Sequence, residues 1–339
     1  MLKVTKINKN WNWVLQGLIF LLTYLFIVRQ VFFRDGLLDL TFQIETRFTD
    51  TRFLMVLPGI FLLMLINWGI ETWKWRYLIR KIEAIRFFFA FQAVLTGISI
   101  SSFIPNRVGE FFGRAFFLKK ADPVEGIIIT VIGSMSQLII TMVCGSVAFL
   151  FFARILLGDM ILFQGYLYVA FAVFILIINL IIIGLYLNVS FLALIKEKIM
   201  LNGFSRLRGY FRVFDFYHTR ELGWVLMLSL LRYLVFSFQF YMLNTIFGVT
   251  MPLLHGLMLI AVIYFIMTII PTVALTELGI RGSVAISVFN LYYSMQPDAA
   301  TGIASGVFFA STLLWIINLG IPAVAGSFFV FRLRFFRKK

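Results

Sequence analysis

Nine apolar runs divide this chain, near residues 13–33, 53–73, 87–104, 126–153, 161–187, 222–247, 253–271, 282–296 and 301–331. Most reach about 18 residues, the length that crosses a ~30 Å hydrocarbon core at 1.5 Å per residue. Lipid offers no hydrogen-bond partners, so runs of this length must satisfy their own backbone, and helices do so. The expected class is an all-α polytopic membrane protein. Composition agrees, with 61% hydrophobic and only 13% charged residues where a soluble domain carries about a quarter charged. The first run, Trp13 to Phe33, is too long for a secretory h-region and no small-x-small site follows it, so it is expected to stay as a signal anchor.

The formal net charge is +15, which in a soluble chain would suggest nucleic acid. Here the basic residues gather in clusters between or beside the apolar runs: Lys3 to Lys9, Lys74 to Arg86, Arg107 to Lys120, Lys196 to Arg220 and Arg332 to Lys339. That is a positive-inside pattern, and its electrostatic partner is anionic lipid. The loop 34–52 balances Asp35, Asp39, Glu45 and Asp50 against Arg34, Arg47 and Arg52, so it belongs on the other side. Both termini are then cytoplasmic.

The third run decides the threading. If 87–104 crossed fully, the basic cluster Arg107 to Lys120 would lie outside, and so would the cluster Lys196 to Arg220 two crossings later. If 87–118 enters, breaks near Pro105 and returns, every basic cluster stays inside. The stretch "SSFIPNRVGEFFGR" (Ser101–Arg114) therefore reads as the break of a re-entrant hairpin. Pro105 ends the entering helix and Gly109 lets the chain turn. A second break, "IIPTVALTELGIRG" (Ile269–Gly282), carries Pro271 and Gly279. Charge leaves open whether 253–296 is two crossings or a hairpin entering from outside. The expectation is six to eight transmembrane helices plus one or two broken-helix hairpins. Broken segments at corresponding places in two halves also point to an inverted repeat with a transport site between them. The chain reads as one transmembrane domain, 1–339. Its halves, about 1–187 and 222–339, are joined by a basic, amphipathic interfacial connector, 188–221.

Charges inside membrane runs mark candidate sites. Arg107, Glu110 and Arg114 are spaced so that Glu110 can face both arginines on one helix side, and Glu277 and Arg281 are four apart. Each group reads either as a phosphate-receiving site or as a self-neutralised anchor. Arg232 lies about ten residues into its run, ~15 Å deep, and must meet an acid there; Glu277, Glu110 and Glu71 are available. Gln239 shares its face. Asn67 and Glu71 are expected to snorkel to the interface, and Trp68, Trp73 and Trp75 to form an aromatic belt. No metal site is expected of His218 and His255, which stand far apart, nor a disulfide of the lone Cys144. No Walker loop, H-E-x-x-H or G-x-S-x-G occurs, so neither a catalytic residue nor a cofactor is assigned.

Taken in order, "WKWRYLI", "SSFIPNRVGEFFGRAFFLKK", "FGVTMPLLHGL" and "IIPTVALTELGIRGSVAI" resemble the membrane domain of the lysylphosphatidylglycerol synthase/flippase family over nearly the whole chain. The match rests on Pro105, Arg107, Gly109, Glu110 and Arg114 in the first motif. After Phe331 only eight residues remain, so the resemblance implies the stand-alone, flippase-like type without the aminoacyl-transferase domain. It implies a non-enzymatic protein of the bacterial inner membrane that moves a phospholipid or lipid-linked intermediate. Its partners would be lipids with phosphate-bearing headgroups, not nucleic acid, with homo-oligomers left open. The other reading is a membrane-embedded lipid-modifying transferase, or an accessory subunit of lipid or glycan synthesis.

Overall fold

A computed structural model describes residues 51–102, 104, 108–156, 165–188, 212–270, 274–294 and 303–333, with isolated positions between 14 and 25. These residues form an all-helical bundle. In chain order the helices are α1 (Thr51–Ile79), α2 (Phe87–Ser101), α3 (Gly109–Phe117), α4 (Pro123–Leu156), α5 (Gly165–Leu187) and α6 (Thr219–Ile246). They continue with α7 (Leu253–Ile269), α8 (Ala274–Tyr293), α9 (Ile303–Trp315) and α10 (Ile321–Ser327). A π-turn, Ile316–Gly320, joins α9 to α10. Among the described residues, five helical stretches are long and apolar enough to cross a membrane: most of α1 and α4, all of α5 and α6, and α9 continued through α10. The protein is a multi-pass membrane protein.

Helices α2 and α3 form a tight antiparallel hairpin. The Phe89 and Phe117 rings meet at 4.8 Å, while nearer the tip glycines bring the backbones together. A Cβ on Gly113 would stand 2.6 Å from the Cα of Gly97, and one on Gly109 would stand 2.7 Å from the carbonyl of Ile100. Small residues at such crossings replace the hydrophobic drive that lipid does not supply. Gly109 thus serves close approach as the first residue of α3, not the turn expected of it. With 15 and 9 residues, the two helices reach only about 22 and 14 Å. The break lies between 101 and 109, as expected; Pro105 itself is outside the described residues.

Helices α7 and α8 form the second antiparallel pair. The Tyr293 hydroxyl donates to the Thr250 carbonyl at 2.7 Å, and the His255 and Tyr292 rings lie 6.0 Å apart. Pro271 falls outside the described residues. Gly279, expected as a break, lies inside α8, which runs unbroken through it. One interior glycine costs a helix only about 1 kcal/mol, too little to end one packed on its neighbours. The break therefore precedes the Glu277–Arg281 pair instead of containing it.

The long α4 orients the two hairpins. At its start, the Glu83 carboxylate accepts the N–H groups of Lys119 and Lys120 at the base of the first hairpin. Near its end, the Phe152 ring meets Tyr292 at 5.8 Å, at the base of the second. Those bases are separated by most of a 34-residue helix, about 45 Å. The hairpins therefore open at opposite ends of the bundle. The first end also gathers Lys81, paired with Glu221 at 2.8 Å, and Arg332, bonded to Gln92 on α2. Most of the connector 188–221 lies outside the described residues. Its last part turns at Arg212–Phe216 and docks through the Tyr217 hydroxyl, which donates to the Leu78 carbonyl at 2.9 Å.

Candidate functional site

Where the tips of the two hairpins converge, the bundle holds a cavity of about 690 Å³. Its charged lining is Glu71 and Lys74 from α1, Glu110 from α3, Arg232 from α6, and Glu277 and Arg281 from α8. Charges from both sequence motifs thus face one space. A smaller chamber of about 160 Å³ adjoins it, and Gln137, Arg232, Tyr264 and Arg281 line both.

Glu71 organises the charge. It was expected to snorkel; instead it is 3% exposed, and its neighbour one turn back, Asn67, is 2% exposed. One carboxylate oxygen accepts from Arg114 at 2.7 Å, and the other lies 2.8 Å from Lys74 and 3.1 Å from Arg232. Arg114 also reaches Glu110 at 3.0 Å. Along α1 alone nothing signals this burial, since the groups that enclose Glu71 lie on α3 and α6. Buried against α3 and α6, a carboxylate gains three cations, which offsets a desolvation that no interface would have imposed. Trp68 and Trp75 are corrected likewise: they are buried at 4% and 1%, and only Trp73, at 53%, is exposed as a belt residue would be. Trp75 donates to the Thr130 hydroxyl at 3.0 Å. The face of Trp68 lies under the Arg232 guanidinium at 5.1 Å, a cation–π contact.

Arg232 meets an acid as its depth required, and that acid is Glu71. Its Nε donates to the Asn67 side-chain carbonyl at 3.1 Å. Asn67 donates to Asn318 at 3.3 Å, Asn318 donates to Gln239 at 2.9 Å, and Gln239 donates to the Ile60 carbonyl at 2.9 Å. This chain of bonds ties α1, α6 and the π-turn into one polar seam. The π-turn sets Asn318 in that seam, in keeping with the frequency of such turns at functional sites. Sequence reading missed Asn318, Tyr264 and Lys74. The neutral side chains carry no charge to flag them, and Lys74 was grouped with the basic interface cluster.

Arg114 is 2% exposed and does not line the cavity; its guanidinium is engaged by Glu71 and Glu110. It positions those carboxylates. Arg232 keeps 18% of its side chain exposed. Glu277 and Arg281 pair across one turn of α8. Arg107 lies outside the described residues. Among the described residues no group of three or more His, Cys, Asp or Glu is placed to hold a metal ion. Three carboxylates (Glu71, Glu110, Glu277) stand against four cations (Lys74, Arg114, Arg232, Arg281), a net of one positive charge.

No curated protein matches this chain, and no solved structure does. The family described as the lysylphosphatidylglycerol synthase TM region matches residues 13–320, a span that takes in both hairpins and every charge of the cavity. The chain belongs to that family.

Proposed function

We propose that this protein translocates a phospholipid or lipid-linked intermediate across the bacterial inner membrane, with both termini in the cytoplasm. The observation that carries the reading is the charged cavity at the converging tips of two hairpins that open at opposite ends of the bundle. In this reading the hairpins are re-entrant, since irregular backbone at membrane depth is stable only where it is buried in protein or borders a polar space. A headgroup within the cavity meets cations that offset its desolvation, while its acyl chains stay in lipid. Each lining carboxylate is held by a cation, which makes it a poor general base, so binding suits the site better than group transfer.

Reconstitution tests this directly. Vesicles containing the protein and an acyl-labelled fluorescent phosphatidylglycerol should expose inner-leaflet label to dithionite much faster than protein-free vesicles. Equal bleaching in both would overturn the proposal. Orientation is checked in a Cys144→Ala background. Lys119→Cys should label only from the cytoplasmic side, and Tyr166→Cys, 95% exposed at the start of α5, only from the other. Labelling of Lys119→Cys from outside and of Tyr166→Cys from the cytoplasm, the pattern a full crossing by 87–104 would give, would remove the re-entrant topology.

A further inference from the structure

The small chamber beside the main cavity has a chemical bias of its own. Three of the residues lining it, Trp68, Tyr264 and Arg281, are at least nine-tenths buried. Each has a side-chain polar atom without a hydrogen-bond partner: the Trp68 Nε1, the Tyr264 hydroxyl and the Arg281 Nε. The indole and guanidinium nitrogens can only donate, and the phenol can do either. The amide oxygens of the same wall are engaged, since Asn67 and Gln137 accept from Arg232 and Asn318 accepts from Asn67. What remains is weighted to donors: two nitrogens that can only donate, beside the hydroxyls of Thr141, Tyr233 and Tyr264, which can do either. A buried donor without an acceptor is costly, so the chamber is complementary to a group that brings acceptor oxygens.

Charge narrows the class further. The net positive charge among the described groups is matched by one negative charge, and uncompensated charge within a membrane is expensive. The chamber's volume, about 160 Å³, is the liquid share of roughly five waters, enough for one tetrahedral oxyanion with some water.

From these observations we infer that the small chamber is a subsite for a singly charged oxyanion, the phosphodiester of a phospholipid headgroup being the fitting case. Arg232 stands at its junction with the main cavity, Trp68, Tyr264 and Arg281 supply directed donors, and the larger cavity takes the rest of the headgroup. The inference rests on the proposed translocation reading for its lipid and on the chamber wall for its chemistry.

Binding of dihexanoyl phosphatidylglycerol to the detergent-solubilised full chain, measured by calorimetry, tests it. Tyr264→Phe removes one donor and keeps the ring, while Trp68→Phe removes the indole donor and also shrinks a buried side chain. Each should weaken binding about tenfold, the usual scale for a hydrogen bond to a charged acceptor; in the absence of lipid the melting temperature should be unchanged for Tyr264→Phe and lower for Trp68→Phe. Dihexanoylglycerol, which lacks the phosphate, should bind at least tenfold more weakly than phosphatidylglycerol. Competition by inorganic phosphate would show that the subsite accepts a free oxyanion as well. Donor-dependent lipid binding without that competition would tie it to the headgroup; either result upholds the inference. Unchanged affinity in both phenylalanine variants, or equal binding of dihexanoylglycerol, would overturn it. The two readings fail separately. Donor-dependent binding without bleaching in vesicles would sink translocation alone, and normal translocation by both variants with unchanged affinity would sink the subsite alone.

Discussion

Glu71→Gln should cost this protein about 3–5 kcal/mol, the range seen when one partner is removed from a buried charge cluster. The substitution preserves shape and leaves Lys74, Arg114 and Arg232 around a neutral amide, with Arg114 still paired to Glu110. Lys74 and Arg114 are 1% and 2% exposed, so little solvent can screen them. At roughly 1.4 °C per kcal/mol, from about 2.1 cal/mol/K of unfolding entropy per residue over 339 residues, the detergent-solubilised protein should melt about 4–7 °C lower, with reduced monodisperse yield. Adding Lys74→Met should recover part of the loss, because it removes a cation that has lost its partner. A Glu71→Gln protein that melts like wild type would show the cluster to be wet and screened.

Arg232→Gln should act on transport instead. Arg232 borders both cavities and is the most exposed cation of the Glu71 cluster. Glutamine can still donate toward Asn67, so the polar seam survives in part. Translocation in vesicles should fall by tenfold or more while melting temperature changes little. Arg232→Lys should rescue poorly, because an ammonium offers a point charge in place of a planar fork and loses the guanidinium contact with Trp68. A parallel fall in yield, melting temperature and transport would make Arg232 a structural pair and remove it from the substrate path.

Much of this arrangement is local and therefore legible in the chain. Apolar run length states which segments enter the membrane, because the hydrocarbon thickness and the helix rise are both constants. The four-residue spacings of Glu110 with Arg114 and of Glu277 with Arg281 are realised as ion pairs, since neighbours on one helix face meet whatever else surrounds them. The broken third run was legible from the charge on either side of it. Arg232 was legible as a residue needing an acid, although not which one.

Other features belong to the fold alone. Glu71 sits one turn from Trp75 and Lys74 in a segment whose composition reads as interface, and nothing along α1 records that α3 and α6 bring Arg114 and Arg232 to it. The residues that meet there are 43 and 161 positions apart in sequence, a separation that no helical period can encode. The same holds for Asn318, which joins Asn67 and Gln239 only because a π-turn and two helix crossings set it there. Sequence by itself determined the membrane class and the local charge pairs, set by bilayer thickness and helix periodicity. Which carboxylate gathers three cations, which tryptophans are buried and where the cavity lies were decided by tertiary packing, because desolvation and ion pairing depend on neighbours that only the folded bundle supplies.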